Sequence, residues 1–244
     1  MWQGETGAWL ERGLVAQGLK TDFVHLDHGM TRINVKIKAG QETELNGAGP
    51  DIPESAMQAL EEKLDRLQKG DILILAGSIP ASLAQTTYER ILARLEGRDI
   101  RAVVDATRDL LVNVLRYKPF LIKPNNHELS EIAGVKLTND NEIVTAARMM
   151  QAKGARNVLV SMAGDGALLL DEQGGVHRIG CPKGKVVNSV GAGDSMVAGF
   201  VAGYQQSGGD YAAALKLGTA CGSATAFSLG LATKADIDKL LKTM

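Results

Sequence analysis

The chain has 244 residues, 45% of them hydrophobic, with a formal net charge of -1. That length fits one α/β domain or two small ones. The charge balance gives no electrostatic case for nucleic acid or an anionic membrane surface, and 4% aromatic content argues against base-stacking platforms. No apolar run approaches the ~20 residues that span a bilayer.

Met1-Trp2-Gln3-Gly4-Glu5 lacks a basic start and an apolar core, so no secretory signal is expected. Cys181 and Cys221 lie far apart, which suits free thiols in a reducing, cytoplasmic compartment. The four histidines show no metal spacing; His25-x-x-His28 falls in a polar connection.

In chain order, Thr6 to Gln17 reads as a helix. Thr31 to Lys38 alternates in period two, with Ile33, Val35 and Ile37 on one face. Ala39-Gly40 turns the chain and Glu42 to Asn46 runs back. This predicts a small antiparallel flap within residues 20–52, outside the main sheet. Its apolar face needs a cover from a partner subunit or from its own domain.

Glu54 to Gln68 carries Met57, Leu60, Leu64 and Leu67 at helical spacing. Asp71 to Leu75 is a continuous apolar run, expected as a strand buried on both faces. Thr86 to Leu95 is a helix and Ile100 to Val104 a strand ending at Asp105. Leu110 to Leu115 is a short helix, and Phe120 to Ile122 a strand ending at Lys123-Pro124-Asn125. Asn126 to Ala133 and Glu142 to Lys153 are helical. Asn157 to Val160 is a strand ending at Ser161, and Ala167 to Leu170 is another. Helices follow over Ala192–Tyr204, Tyr211–Phe227 and Lys234–Leu241.

This order predicts an α/β fold, a mostly parallel sheet with helices on both faces. Ligands bind such sheets at the carboxyl ends of the strands. Gly77-Ser78, Asp105, Lys123 to Asn125 and Ser161 to Gly164 each follow an apolar strand, which points to a crevice there. Polar loops at strand ends are the plainer explanation of the same residues.

Familiar phosphate loops are absent. Gly191-Ala192-Gly193 would need a third glycine at Met196 to be a dinucleotide fingerprint, and Gly180 to Lys185 fails the Walker spacing. Gly191-Ala192-Gly193-Asp194-Ser195 instead opens a helix of small residues. Free N–H groups and the helix dipole make an anion site there, and glycines allow close approach. Asp194 fits as a base facing the acceptor of a phosphate, or as an N-cap.

Asn125 and Glu128, three apart at a strand-to-helix junction, suit a hydrated Mg²⁺ or a capping box, or both. Ser161 to Gly166 contains a Gly-x-Gly turn that a plain hairpin would also explain.

Together these segments resemble the ribokinase-like carbohydrate kinases of the phosphofructokinase-B type. Val190-Gly-Ala-Gly-Asp194-Ser-Met196 is similar to that family's C-terminal signature. Lys123-Pro-Asn125-x-x-Glu128 is similar to its N-x-x-E magnesium motif. Ser161 to Gly166 is similar to its S-x-G-x-x-G adenine-nucleotide loop. Gly77-Ser-Ile-Pro80 matches a strand end of the family. Thr31-Arg-Ile-Asn-Val-Lys36 resembles the lid strand of the 1-phosphofructokinase and tagatose-6-phosphate kinase subgroup. The motifs run in register from about residue 4 to the C-terminus.

The resemblance implies one ribokinase-like domain over residues 1–244 with a β lid, acting on a sugar phosphate with ATP and Mg²⁺. Asp194 becomes the base for the sugar hydroxyl, with Gly191, Ala192 and Gly193 as the anion hole. Ser161, Met162, Ala163, Gly164, Asp165 and Gly166, with Gly193, line the nucleotide. Asn125 and Glu128 organise the metal. Arg32 contacts the phosphate already on the sugar; without the resemblance it would read as a solvated charge on the strand face. A second copy docking through the lid is the implied partner.

The family's opening strand with its sugar-binding aspartate and its G-G-K-G-x-N segment have no counterpart here. Roughly sixty to seventy residues of a typical domain would be missing. The resemblance therefore also implies an exposed sheet edge and weak or no kinase activity for the chain as written. A nucleotide-binding remnant is the rival reading.

Overall fold

The computed structural model describes residues 1–39 and 41–244. The expected turn at Ala39-Gly40 therefore lies partly outside the described residues, at Gly40. The chain divides into two compact units: Met1–Lys69 with Ser78–Asp99, and Gly70–Gly77 with Ile100–Met244.

The first unit holds α1 (Gly4–Ala16), β1 (Asn34–Ala39), β2 (Gln41–Asn46), α2 (Glu54–Leu64) and α3 (Thr87–Arg94). α2 buries Ala56, Met57 and Leu64, and α3 buries Tyr88, Ile91 and Leu92. Both have the one-sided stripe that a core-facing helix needs. Ion pairs run between their polar sides. Arg90 meets Glu54 at 2.6 Å and Glu61 at 2.5 Å, and Arg94 meets Asp65 at 2.6 Å. α2 stops at Leu64, earlier than expected, because Asp65 to Gln68 turns back into Arg98, which donates to the carbonyls of Asp65 and Leu67.

β1 and β2 pair antiparallel, Val35 opposite Leu45 and Ile37 opposite Thr43, as a two-stranded sheet of their own. Ile33, Val35, Ile37 and Leu45 are exposed. Among the described residues, the rest of the first unit thus leaves the apolar face of the flap uncovered.

The second unit is built on β3 (Ile72–Ala76), β4 (Arg101–Asp105), β5 (Leu121–Ile122), β6 (Asn157–Ser161), β7 (Ala167–Leu170) and β8 (Val176–Ile179), in that spatial order. β3 to β6 run parallel, while β7 and β8 are antiparallel additions. Between them stand α4 (Arg108–Val114), α5 (Asn126–Ala133), α6 (Asp140–Ala152), α7 (Ala192–Gln206), α8 (Tyr211–Ala226) and α9 (Lys234–Leu241).

Successive residues of a strand point to opposite faces. Val103, Leu121, Leu159, Ala167 and Leu169 pack with Val197, Phe200, Tyr211 and Leu215 of α7 and α8. The alternate residues Val104, Ile122, Val158, Leu168 and Leu170 are equally buried, on the face where α6 packs against β6 and β7. Helices on both faces explain why these strands read as continuous apolar runs.

Two expectations need correction. β3 is not buried on both faces: it is an edge strand, and Ile74 is 42% exposed. β8 was not expected, because Val176-His177-Arg178-Ile179 is a short run with two polar residues. It pairs on β7 through a turn held by Asp171, whose Oδ1 accepts from the N–H groups of Gln173 and Gly175, both at 2.8 Å.

Candidate active site

The polar residues of the second unit collect where the sequence places them, at the carboxyl ends of β4, β5 and β6. Asp105 is the last residue of β4 and Lys123 follows β5 directly. Lys123 is only 6% exposed, and its Nζ lies 3.2 Å from Oδ1 of Asp105. Burial holds the Asp105 carboxyl above the ordinary carboxylate range. Lys123 opposes that shift, and the charges of Asp194 and Glu128 add to it. Asp105, Lys123, Asp194 and Glu128 therefore share one field.

Gly191 is the N-cap of α7 with φ of +79°, a left-handed conformation that glycine enters without steric cost. Among the described residues no side chain caps this helix. The Ala192 N–H turns back to the Ser189 carbonyl at 3.2 Å, and the Ser195 N–H donates to the Gly191 carbonyl at 2.9 Å. Gly193 stands directly against Lys123: a Cβ there would sit 3.2 Å from Nζ. The ammonium is thus aimed at the end of the helix dipole where an anion binds.

Asp194 is the third residue of α7, not its N-cap, and its side chain is exposed. Among the described residues no hydrogen bond or ion pair engages its carboxylate. The capping alternative for Asp194 therefore has no bond behind it.

At the start of α5 the capping box is present. Oδ1 of Asn125 accepts from the N–H groups of His127 and Glu128, both at 2.9 Å, and Oε2 of Glu128 accepts from the Asn125 N–H at 2.8 Å. The second Glu128 oxygen remains for another partner. Among the described residues no three His, Cys, Asp or Glu side chains form a direct metal cage. Carboxylates at Asp105, Glu128 and Asp194 within one field fit a cation that keeps most of its waters.

Ser161 ends β6, and its N–H donates to the Pro124 carbonyl at 3.2 Å, tying that loop to the β5 end. Met162 to Gly166 form a tight turn: the Met162 N–H donates to the Gly166 carbonyl at 2.9 Å, and Ala163 to Asp165 make a single 3₁₀ turn. This turn joins β6 to β7 as an antiparallel hairpin.

Beside the α7 N-terminus two further segments meet. The N–H groups of Val187 and Asn188 donate to the Ala226 carbonyl at 2.8 and 3.1 Å, and Asn188 Nδ2 donates to the Leu229 carbonyl at 3.1 Å. Val186, Val190, Leu229 and Leu231 present exposed aliphatic surface there.

Arg32 belongs to the first unit, where its Nη2 donates to Ser78 Oγ at 2.8 Å. The sequence places Asp105 and Lys123 at the crevice but shows neither their pairing nor the aliphatic rim. The available signal for Lys123 was a lone cation immediately after a fully apolar strand.

The profile described as pfkB family carbohydrate kinase matches residues 3–238. The chain belongs to the pfkB family of carbohydrate kinases. Among its pfkB-family relatives, the 1-phosphofructokinase of Bacillus subtilis strain 168 is 46% identical over 238 residues, 98% of this chain and 78% of the relative. The D-tagatose-1-phosphate kinase of Bacillus licheniformis is 36% identical over 241 residues, 98% of this chain and 77% of the relative. The tetrameric inhibited form of phosphofructokinase-2 from Escherichia coli superposes with a TM-score of 0.87 at 26% identity, covering 99% of this chain and 79% of that one. The pfkB-family fold accounts for the mostly parallel sheet and for the signature at the start of α7. No helix among the described residues is long and apolar enough to cross a membrane.

Proposed function

We propose that the chain is an ATP-dependent sugar-phosphate kinase converting fructose 1-phosphate to fructose 1,6-bisphosphate. The observation that carries this reading is the uncapped N-terminus of α7, with the buried Lys123 against Gly193 and an unengaged carboxylate at Asp194. The choice of sugar leans on the relative named 1-phosphofructokinase.

In this reading the sugar hydroxyl oxygen attacks the γ-phosphorus while its bond to the β–γ bridging oxygen breaks. Asp194 accepts the hydroxyl proton, and ADP leaves with the bridging oxygen. Backbone N–H groups of Gly191 and Gly193 hold the charge on the moving group, joined by that of Ala192 when it turns from the Ser189 carbonyl to the phosphoryl oxygens. Such transfers depend mainly on positioning and charge stabilisation. Lys123 adds a fixed positive charge to the same place, and Asp105 keeps it there. Ser161, Met162, Ala163, Gly164, Asp165 and Gly166 line the nucleotide, and the aliphatic rim offers its base an apolar wall. Arg32 holds the phosphate already on the sugar, for which a planar guanidinium is suited.

Asn125, Glu128 and Asp105 are the residues that would hold hydrated Mg²⁺, which neutralises charge on the phosphates. The exposed lid face of β1 and β2 is read as the dimer contact with a second copy of the chain. The two compact units are read as parts of one kinase domain working in the cytoplasm.

The second reading is a tagatose phosphate kinase, favoured by the relative from Bacillus licheniformis. Coupled ADP release with fructose 1-phosphate, tagatose 6-phosphate and tagatose 1-phosphate separates the two by kcat/KM. ADP binding by calorimetry with no turnover of any of them would instead support a nucleotide-binding remnant.

A further inference from the structure

We infer that Thr225 is a positioning residue that fixes one wall of the nucleotide cleft to the first turn of α7. The inference rests on reading that cleft as the nucleotide site.

Thr225 lies near the end of α8 and is 1% exposed. A hydroxyl so deeply buried must find partners, and this one uses both of its capacities. It donates to Ser195 Oγ at 2.9 Å and accepts from the Ala232 N–H at 3.2 Å. Ser195 directly follows Asp194 on α7. Ala232 closes the loop after α8 that carries Leu229 and Leu231, which are 86% and 73% exposed. One hydroxyl thus ties the aliphatic rim to the helix turn that bears the acidic residue.

The surroundings define what this tie controls. Leu231 lies over Gly191, close enough that a Cβ there would be 2.9 Å from Cδ2. On the facing side, Gly222 of α8 brings its backbone against α7, where a Cβ would meet the Ala192 carbonyl oxygen at 2.9 Å. α8 therefore sets the N-terminus of α7 through backbone contact, and Thr225 extends that control to the loop. Without the hydroxyl, the Ala232 N–H and Ser195 Oγ lose a buried partner, and the loop loses its tie to α7 while Leu229 keeps the bond from Asn188 to its carbonyl.

Titration of the full chain with ADP by calorimetry tests this, alongside thermal midpoints. Thr225→Val keeps the shape and removes the hydroxyl. It should weaken ADP binding by about five- to tenfold, and Thr225→Ser should restore it to within about twofold. Ser195→Ala should show a similar loss, and the double variant should be no weaker than either single one, because both break the same tie. Unchanged ADP affinity in Thr225→Val, even with a lowered midpoint, overturns the inference and leaves Thr225 a core-packing residue. Should Thr225→Val fail to fold, unchanged affinity in Ser195→Ala overturns it equally. A parent chain that does not bind ADP overturns the inference together with the nucleotide-site reading.

Discussion

The ammonium of Lys123 and the carboxylate of Asp105 meet at 3.2 Å directly against the backbone of Gly193. Two strand ends thereby deliver a buried positive charge to a helix N-terminus that already favours anions. Removing either partner leaves the other buried and uncompensated.

Lys123→Met should therefore lower kcat/KM for the sugar phosphate by about 10²–10³, the scale of losing one preorganised charge donor. Asp105→Asn leaves the cation in place but loosely held, and should cost about tenfold. Coupled ADP-release kinetics measure both. Near-parental turnover in Lys123→Met would reduce the pair to a structural ion bridge.

Asp194→Asn separates chemistry from capping. As a base, Asp194 is worth about 10²–10⁴ in kcat with ADP affinity little changed. An N-cap would instead cost about 1 kcal/mol of stability. Because the carboxylate makes no cap bond in α7, the thermal midpoint of the variant should match the parent. A clear drop in midpoint with intact turnover would return Asp194 to the capping role.

Acid stability should depend on Asp171. Burial raises its pKa, but the hydrogen bond from His177 at 2.7 Å and the N–H groups of Gly175 and Gln173 outweigh that and hold it below the ordinary 3.8. A folded pKa below the unfolded one contributes stability above the unfolded value, lost as pH falls through the folded one. The midpoint should thus fall on acidification below pH 3.8, and Asp171→Asn should flatten that part of the profile. Calorimetric scans across the acid range give the answer, and an identical slope in the variant would remove Asp171 from the acid transition.

The lid face can be probed by charge. Val35→Lys with Leu45→Lys places two ammonium groups side by side on opposed positions of β1 and β2. Sedimentation should show an associating parent and a monomeric variant, with ADP affinity unchanged. A parent that sediments as a monomer at working concentration rules out the lid as a dimer contact.

Several elements were legible because one local rule determined each. Asn125 and Glu128 announced the start of α5 by their spacing, and the box forms as expected. The run Ala167 to Leu170 is a strand with the same bounds, since burial on both faces leaves no polar position to blur it. β8 was hidden because its residues alternate at the sheet margin over too few positions to show a period. Ile74 misled for the opposite reason: its strand is as apolar as a central one, yet edge or centre is a property of neighbours.

The sequence alone determined the kind of site: glycines and a carboxylate at a helix start, an N-x-x-E junction, and polar residues after apolar strands. These are local patterns, set by backbone geometry within a few residues. Only the tertiary structure decided that Lys123 lies under Gly193, that Asp194 makes no cap bond, and that Thr225 ties Ser195 to Ala232. Those relations join segments tens of residues apart, and they exist only once the sheet and the α7–α8 pair have brought the segments together.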